Sequence, residues 1–287
     1  MKKIIVIGSH GQLGSELKEL ASRFKGYQFF FYDKEHLDIV QKDEVDRTIE
    51  EIKPDYLVNC AAYTAVDKAE TDATLAFAIN SEAVRNLAEA CTGHNVKLVH
   101  VSTDYVFDGK ATQPYKESDP VNPANVYGQS KLKGEEEAVQ ANTDVIIIRT
   151  AWVYSTYGAN FVKTMLRLMQ SRPEIGVVAD QYGTPTNAAD LAEVIMQIID
   201  GGKWVPGIYH FTNEGLISWF DFANEIKRLS NASCTVNPIT TEQYPTPAQR
   251  PQYSVLDKTK IQQTFGIKLK NWRESLEKCI GKMKITS

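Results

Sequence analysis

The residues of this chain best able to move a proton are a tyrosine and a lysine four apart, in Tyr127-Gly128-Gln129-Ser130-Lys131. On a helix that spacing stacks the two side chains on one face. A free phenol titrates near pH ~10. An ammonium beside it favours the phenolate and lowers that value, which would make Tyr127 a usable general acid or base. The lysine keeps N–H donors for a second partner, such as a ribose hydroxyl. The same spacing is common between exposed residues, so the pair takes its meaning from the elements that position it.

The β-branched run 3–7 reads as a buried strand. It enters Gly8-Ser9-His10-Gly11-Gln12-Leu13-Gly14, after which Leu13, Leu17, Leu20 and Phe24 recur on one side of a helix. Strand, glycine turn and helix together form the context in which glycines hold a dinucleotide. Gly8 permits the turn, Gly11 lets a pyrophosphate approach the backbone, and Gly14 lets the helix pack closely. The helix N-terminus adds free N–H groups for the phosphates. Strand 28–32 ends at Asp33, about 19 residues beyond Gly14, where a Rossmann unit places the acid that holds the adenosine ribose. A carboxylate there favours NADH, while the adjacent Lys34 softens that preference, so NADPH or NADH stays open. The alternatives are an ordinary glycine turn and an aspartate that merely ends a strand.

Strand 56–62 finishes in Asn59-Cys60-Ala61-Ala62-Tyr63-Thr64, small residues that leave room for a flat ligand or simply fit a tight contact. Residues 71–91 read as one long helix in which Asn80 and Asn86 are poor formers. Asn80 is there for a hydrogen bond or is exposed and idle. Strand 96–102 leads into Thr103 and Asp104. Ligands of open α/β sheets lie outside the carboxyl ends of the strands, so Thr103 is placed to hydrogen-bond a substrate carbonyl. Asp104 is a ligand at that end or a strand-end cap.

Residues 108–125 form a proline-containing loop beside that end, and 145–150 is a further strand. Beyond it come helices 160–170, 187–200 and 218–230, the last begun by a Ser218/Asp221 box, then a final helix over 273–284. A strand covers 207–212. The proline-rich stretch 238–254, with Arg250, is a loop over a pocket or a linker. The expected fold class is α/β, a Rossmann-type doubly wound parallel sheet with a smaller C-terminal α/β substrate domain. The larger domain takes 1–151 plus about 187–212, the smaller 152–186 plus about 213–287.

Composition narrows the function classes. The chain has 287 residues, 43% hydrophobic and 24% charged, with a net charge of −4 that gives no basic field for nucleic acid. No apolar run approaches a membrane span, and 4–7 is too short for a signal segment, so a cytoplasmic protein is expected. Cys60, Cys91, Cys234 and Cys279 have no CxxC spacing and read as reduced thiols. The five histidines show no metal-ligand spacing, and the residues call for no metal.

The glycine motif, Asp33, Thr103 and the Tyr127/Lys131 pair resemble the extended short-chain dehydrogenase/reductases. Gly8 to Gly14, Asn59 to Glu70, Ser102 to Gly109, Asn125 to Lys131, Arg149-Thr150-Ala151-Trp152-Val153-Tyr154, Asp180 to Thr186 and Tyr244 to Pro251 are similar, in order, to the dTDP-4-dehydrorhamnose reductases. The resemblance implies reduction of the 4-keto group of dTDP-4-dehydro-L-rhamnose by NADPH or NADH. That is the last step of dTDP-rhamnose synthesis for cell-surface polysaccharide.

The resemblance also implies roles. Gly11, Gln12 and Leu13 would contact the pyrophosphate, Asp33, Asp38 and Ile39 would flank the adenosine, and Ala62, Tyr63 and Thr64 would line the cofactor. Thr103 and Asp104 would touch the sugar, Tyr127 would donate the proton, Lys131 would bind the nicotinamide ribose, and Trp152 would pack on the sugar. On chemistry, Trp152 equally fits a seam between domains, and Arg250 is a candidate for the diphosphate. Mg²⁺ and a homodimer come by resemblance alone. The rival readings are a nucleotide-sugar epimerase or dehydratase, and a non-catalytic dinucleotide-binding regulatory subunit of methionine adenosyltransferase.

Overall fold

The computed structural model describes residues 1–286; Ser287, the last residue of the expected smaller domain, lies outside the described residues. The main sheet has six parallel strands: β1 (Lys2–Ile7), β2 (Tyr27–Tyr32), β3 (Tyr56–Asn59), β4 (Lys97–Thr103), β5 (Ile146–Thr150) and Gly207–His210. Their order across the sheet is Gly207–His210, β5, β4, β3, β1, β2. Helix α1 (Gln12–Leu20) carries the chain from β1 outward to β2, and α2 (Lys42–Ile52) carries it back past β1 to β3. The strand order therefore reverses between β1 and β3, which opens a crevice at their carboxyl ends.

Period-two alternation explains why these strands read as unbroken apolar runs. Ile4, Val6, Val58, Val99, Ile146 and Ile148 face one core with Leu13 and Leu17 of α1 and with Leu191 and Ile195 of helix Ala188–Asp200. Ile5, Ile7, Leu57, Leu98 and Ile147 face the other, with Val45 and Ile49 of α2 and Val84 and Leu87 of helix Ala83–Gly93. Both faces are covered, so neither can be polar. The fold is the Rossmann-type α/β sheet that the sequence predicts.

The expected single helix over 71–91 is broken. It runs as Ala73–Phe77, a π-helical turn Ala78–Glu82, and Ala83–Gly93. The π turn presents Asn80 to the backbone of Tyr63, accepting from its N–H at 2.8 Å and donating to its carbonyl at 3.1 Å. Asn86 donates to the carbonyls of Ile39 and Val40 and fixes the loop after β2.

A third core gathers Tyr154, Val162, Met165, Val177, Phe222, Ile226, Trp272 and Leu276. Helices Phe161–Ser171, Trp219–Ser230 and Trp272–Thr286 pack here, with the parallel pair Glu174–Val178 and Thr235–Ile239. The Ser218/Asp221 capping box is present. Helix Thr259–Phe265, which falls in the stretch expected for the smaller domain, packs instead on the first core through Ile261 and its neighbour Ile267. Among the described residues no helix is long and apolar enough to cross a membrane.

Candidate active site

The glycine turn after β1 is built on backbone contact. Gly8 has φ of +78°, and a Cβ there would lie 2.7 Å from the Ala61 nitrogen. A Cβ on Gly14 would lie 2.3 Å from the Gly8 carbonyl oxygen, so α1 begins flush against the turn. Gly11 is the N-cap of α1 in extended conformation, and a Cβ there would lie 3.2 Å from the Gly8 carbonyl oxygen. These are the requirements of a phosphate cradle, and a dinucleotide fits them.

Two hollows of about 570 and 530 Å³ meet over this turn, sharing Gly11, Cys60 and Ala62 in their walls. Together they form one groove across the carboxyl ends of the strands. The first is lined by Gly8, Asp33, Asp38 and Ile39. The second is lined by Gln12, Leu13, Thr64, Thr103, Asp104, Tyr127, Lys131 and Trp152. The expected adenosine side and the expected reacting side thus lie at opposite ends. Tyr63 is not in the walls: its backbone is held by Asn80, and its hydroxyl faces Asp72 at 3.4 Å. Arg250 is not in the walls either.

Tyr127 sits in the first turn of helix Val126–Ala141. Asn125 caps that turn by accepting from the Gly128 N–H at 2.8 Å, and Glu70 accepts from the Val126 N–H at 2.9 Å. Gly128 is needed because a Cβ would lie 2.3 Å from the Tyr105 carbonyl oxygen. The helix therefore presses on the turn that follows β4, bringing Tyr127 toward Thr103. The Tyr105 ring meets the Tyr127 ring edge-on at 5.5 Å. One turn further on, Lys131 is 2% exposed and donates from Nζ to the Val101 carbonyl at 2.7 Å.

The electrostatics differ from the sequence expectation. Tyr127 is pushed up to about 12, chiefly by burial. Burial also brings Lys131 down to about 8. The lysine's proton is directed at a backbone carbonyl, so desolvation and not the ammonium dominates the phenol. At neutral pH Tyr127 holds its proton, as a proton donor must. Thr103 donates to Asp104 Oδ1 at 2.9 Å and accepts from the Tyr105 N–H. Burial raises Asp104 to about 6.

The family model described as RmlD substrate binding domain matches residues 1–285. The chain belongs to that family. A dTDP-4-dehydrorhamnose reductase of Aggregatibacter actinomycetemcomitans is 46% identical, covering 96% of this chain and 98% of the relative. A crystal structure of a dTDP-4-dehydrorhamnose reductase from Clostridium acetobutylicum is 43% identical, with a TM-score of 0.94 over 98% of this chain and 99% of that one. A dTDP-4-dehydrorhamnose reductase from Bacillus anthracis, solved in complex with NADP, is 40% identical, with a TM-score of 0.95 over 98% of this chain and 100% of that one.

In this RmlD-family chain Trp152 belongs to the groove wall and to a stack of tryptophans. It lines the groove, and its ring stacks on Trp219 at 3.5 Å between centroids. Its φ of +49° is rare for a bulky residue and marks a held conformation. Arg250 binds Asp67 through two parallel hydrogen bonds of 2.7 Å and ties the 244–251 loop to helix Val66–Ala69. With its guanidinium committed there, it is a strut for the loop and does not present a free charge to the groove.

Sequence reasoning left Asn80 undecided and passed over Asp67 and Trp219. Asn80 also donates to Ser130 Oγ at 3.0 Å, joining the 62–64 wall to the Tyr127 helix. The poor helix propensity of asparagine was its signal; the other two carried none. Among the described residues no three His, Cys, Asp or Glu side chains gather to hold a metal ion.

Proposed function

We propose that this chain reduces the 4-keto group of dTDP-4-dehydro-L-rhamnose to dTDP-L-rhamnose, using NADPH or NADH, as the last step of dTDP-rhamnose synthesis. The observation that carries the reading is the meeting of Thr103, Tyr127 and Lys131 at one end of a groove whose middle is the glycine turn. The names of its relatives support it. A bound reduced nicotinamide supplies the hydride to C4. Tyr127, protonated at neutral pH, gives its proton to the carbonyl oxygen as charge develops there. Thr103, once turned from Asp104, adds a second hydrogen bond to that oxygen. Lys131 favours the tyrosinate left behind and has N–H groups to spare for the nicotinamide ribose. Gly11, Gln12 and Leu13 take the pyrophosphate, and the exposed part of Trp152 meets the sugar.

The four free cysteines agree with a cytoplasmic protein, and we extend the homodimer by family resemblance alone. Supplying the dTDP-4-keto-sugar with each reduced dinucleotide tests the proposal. Consumption of the reductant with formation of dTDP-L-rhamnose is expected. An epimerase or dehydratase would leave the reductant unconsumed, and a regulatory subunit would bind it without turnover. Tyr127→Phe should retain dinucleotide binding and lose ~10²-fold or more in turnover. Near-normal turnover in that variant would remove Tyr127 from its role.

A further inference from the structure

At the far end of the groove Asp33 does not offer a free carboxylate. Its Oδ1 accepts from the backbone N–H groups of Glu35 and His36, at 3.0 and 3.1 Å, and lies 2.6 Å from His36 Nδ1. Its Oδ2 lies 2.9 Å from His10 Nδ1. The aspartate side chain is 10% exposed beneath imidazoles that are 72% and 69% exposed. His10 comes from the glycine turn and His36 from the turn after β2, so two elements close on one carboxylate. The outer edge of the His10 ring, with Lys34, faces the groove where a ribose would lie, and His36 closes the carboxylate from the adjoining hollow.

We infer that His10, His36 and Lys34 form a 2′-phosphate-accepting site that makes the choice between NADPH and NADH depend on pH, with Asp33 as the residue that positions the two imidazoles. The inference rests on the groove being a dinucleotide site. His10 and Lys34 line the groove itself, and His36 lines the adjoining hollow behind it. The other charged groups facing the pair are Glu35 and Asp38 nearby, and Glu44, Arg47 and Glu51 from α2.

Histidine is the side chain whose charge changes between about pH 6 and 8. A ribose phosphate is already mostly doubly charged above about pH 6.5. The changing partner in that range is therefore the imidazole. Asp33 holds His36 above its ordinary range, mainly by their hydrogen bond. The charged ring is present below that raised value and lost as pH rises through it. An anion bound beside an imidazole favours its protonated form, so NADPH should take up protons on binding while NADH should not.

Affinities for NADPH and NADH can be measured by nicotinamide fluorescence from about pH 6.5 to about 8.5, with calorimetry in buffers of different ionisation heat to count protons. The NADPH-to-NADH affinity ratio should fall roughly fivefold or more across that range. In the double variant His10→Gln/His36→Gln, which keeps N–H donors for Asp33 but no titrating ring, the ratio should stay flat and proton uptake should vanish. A pH-independent ratio in the natural chain, or an unaltered pH dependence in the double variant, overturns this inference and leaves the reductase reading intact. Binding of neither dinucleotide at any pH overturns both.

Discussion

Lys131 carries a charge where the solvent cannot reach it. Burial brings its pKa from the ordinary 10.5 down to about 8. Below about pH 8 both folded and unfolded chains hold the proton, and the folded one bears a desolvation cost on the order of 3 kcal/mol. Between about pH 8 and 10.5 the folded chain releases the proton first, and the cost fades. Lys131→Met should therefore be more stable than the natural chain at pH 7, by about 1–2 kcal/mol once the lost hydrogen bond to Val101 is subtracted. Urea unfolding should show that gain disappearing near pH 10, while dinucleotide binding weakens at every pH. A variant less stable at pH 7 would mean that the Val101 bond outweighs the buried charge. That Thr103, Tyr127 and Lys131 line one hollow was legible in the sequence, from the strand-end position of Thr103 and the four-residue spacing of the pair. The direction of the Tyr127 shift was not legible. Burial depends on residues such as Tyr105 and Val101, which only the fold brings near.

The element that decides the geometry is helix Val126–Ala141, and what it crosses is the π turn at Ala78–Glu82. A Cβ on Gly134 would lie 1.9 Å from the Asn80 carbonyl oxygen, a backbone atom that cannot yield cheaply. Gly134→Ala should push the helix off the π turn and cost roughly 2 kcal/mol or more in denaturant unfolding. It should also weaken dinucleotide binding, because Asn80 then loses its hold on Tyr63 or Ser130. Unchanged stability would mean that the two helices separate freely, against the buried hydrogen bonds seen here. The strands of the main sheet were readable because runs such as Ile4–Ile7 have apolar residues on both faces. The π turn was not readable, since its cause is a hydrogen bond from Asn80 to a backbone segment well away in sequence. A glycine in mid-helix, unfavourable by itself, was the trace it left.

Across the molecule, α1 is where the glycine turn meets the segment that leads into the third core. Asn160 caps helix Phe161–Ser171 through the Lys163 N–H and donates to Gln12 Oε1 at 2.9 Å. Ser155 donates to Glu16 at 2.5 Å, and Tyr157 to Glu19 at 2.8 Å. A ligand on Gln12 thus acts on the cap of a helix in the third core. Dinucleotide should tighten binding of the sugar nucleotide by about fivefold in the natural chain. Asn160→Ala should lose most of that coupling, together with ~1 kcal/mol of stability for the missing cap. Titrating the sugar nucleotide with and without dinucleotide measures both factors; equal coupling in the variant would rule out this route. None of the three contacts to α1 was legible, because each joins residues more than a hundred positions apart. The same separation governs how the chain is made. The edge of β5 stays uncovered until Gly207–His210 has been synthesised, and the first core still lacks Ile261 and Ile267. The third core waits longer, for Trp272 and Leu276. A ribosome must therefore deliver almost the whole chain before either core can close. A nascent chain stalled near residue 200 would carry Ile146 and Ile148 on an open strand edge, a natural target for chaperones and for aggregation.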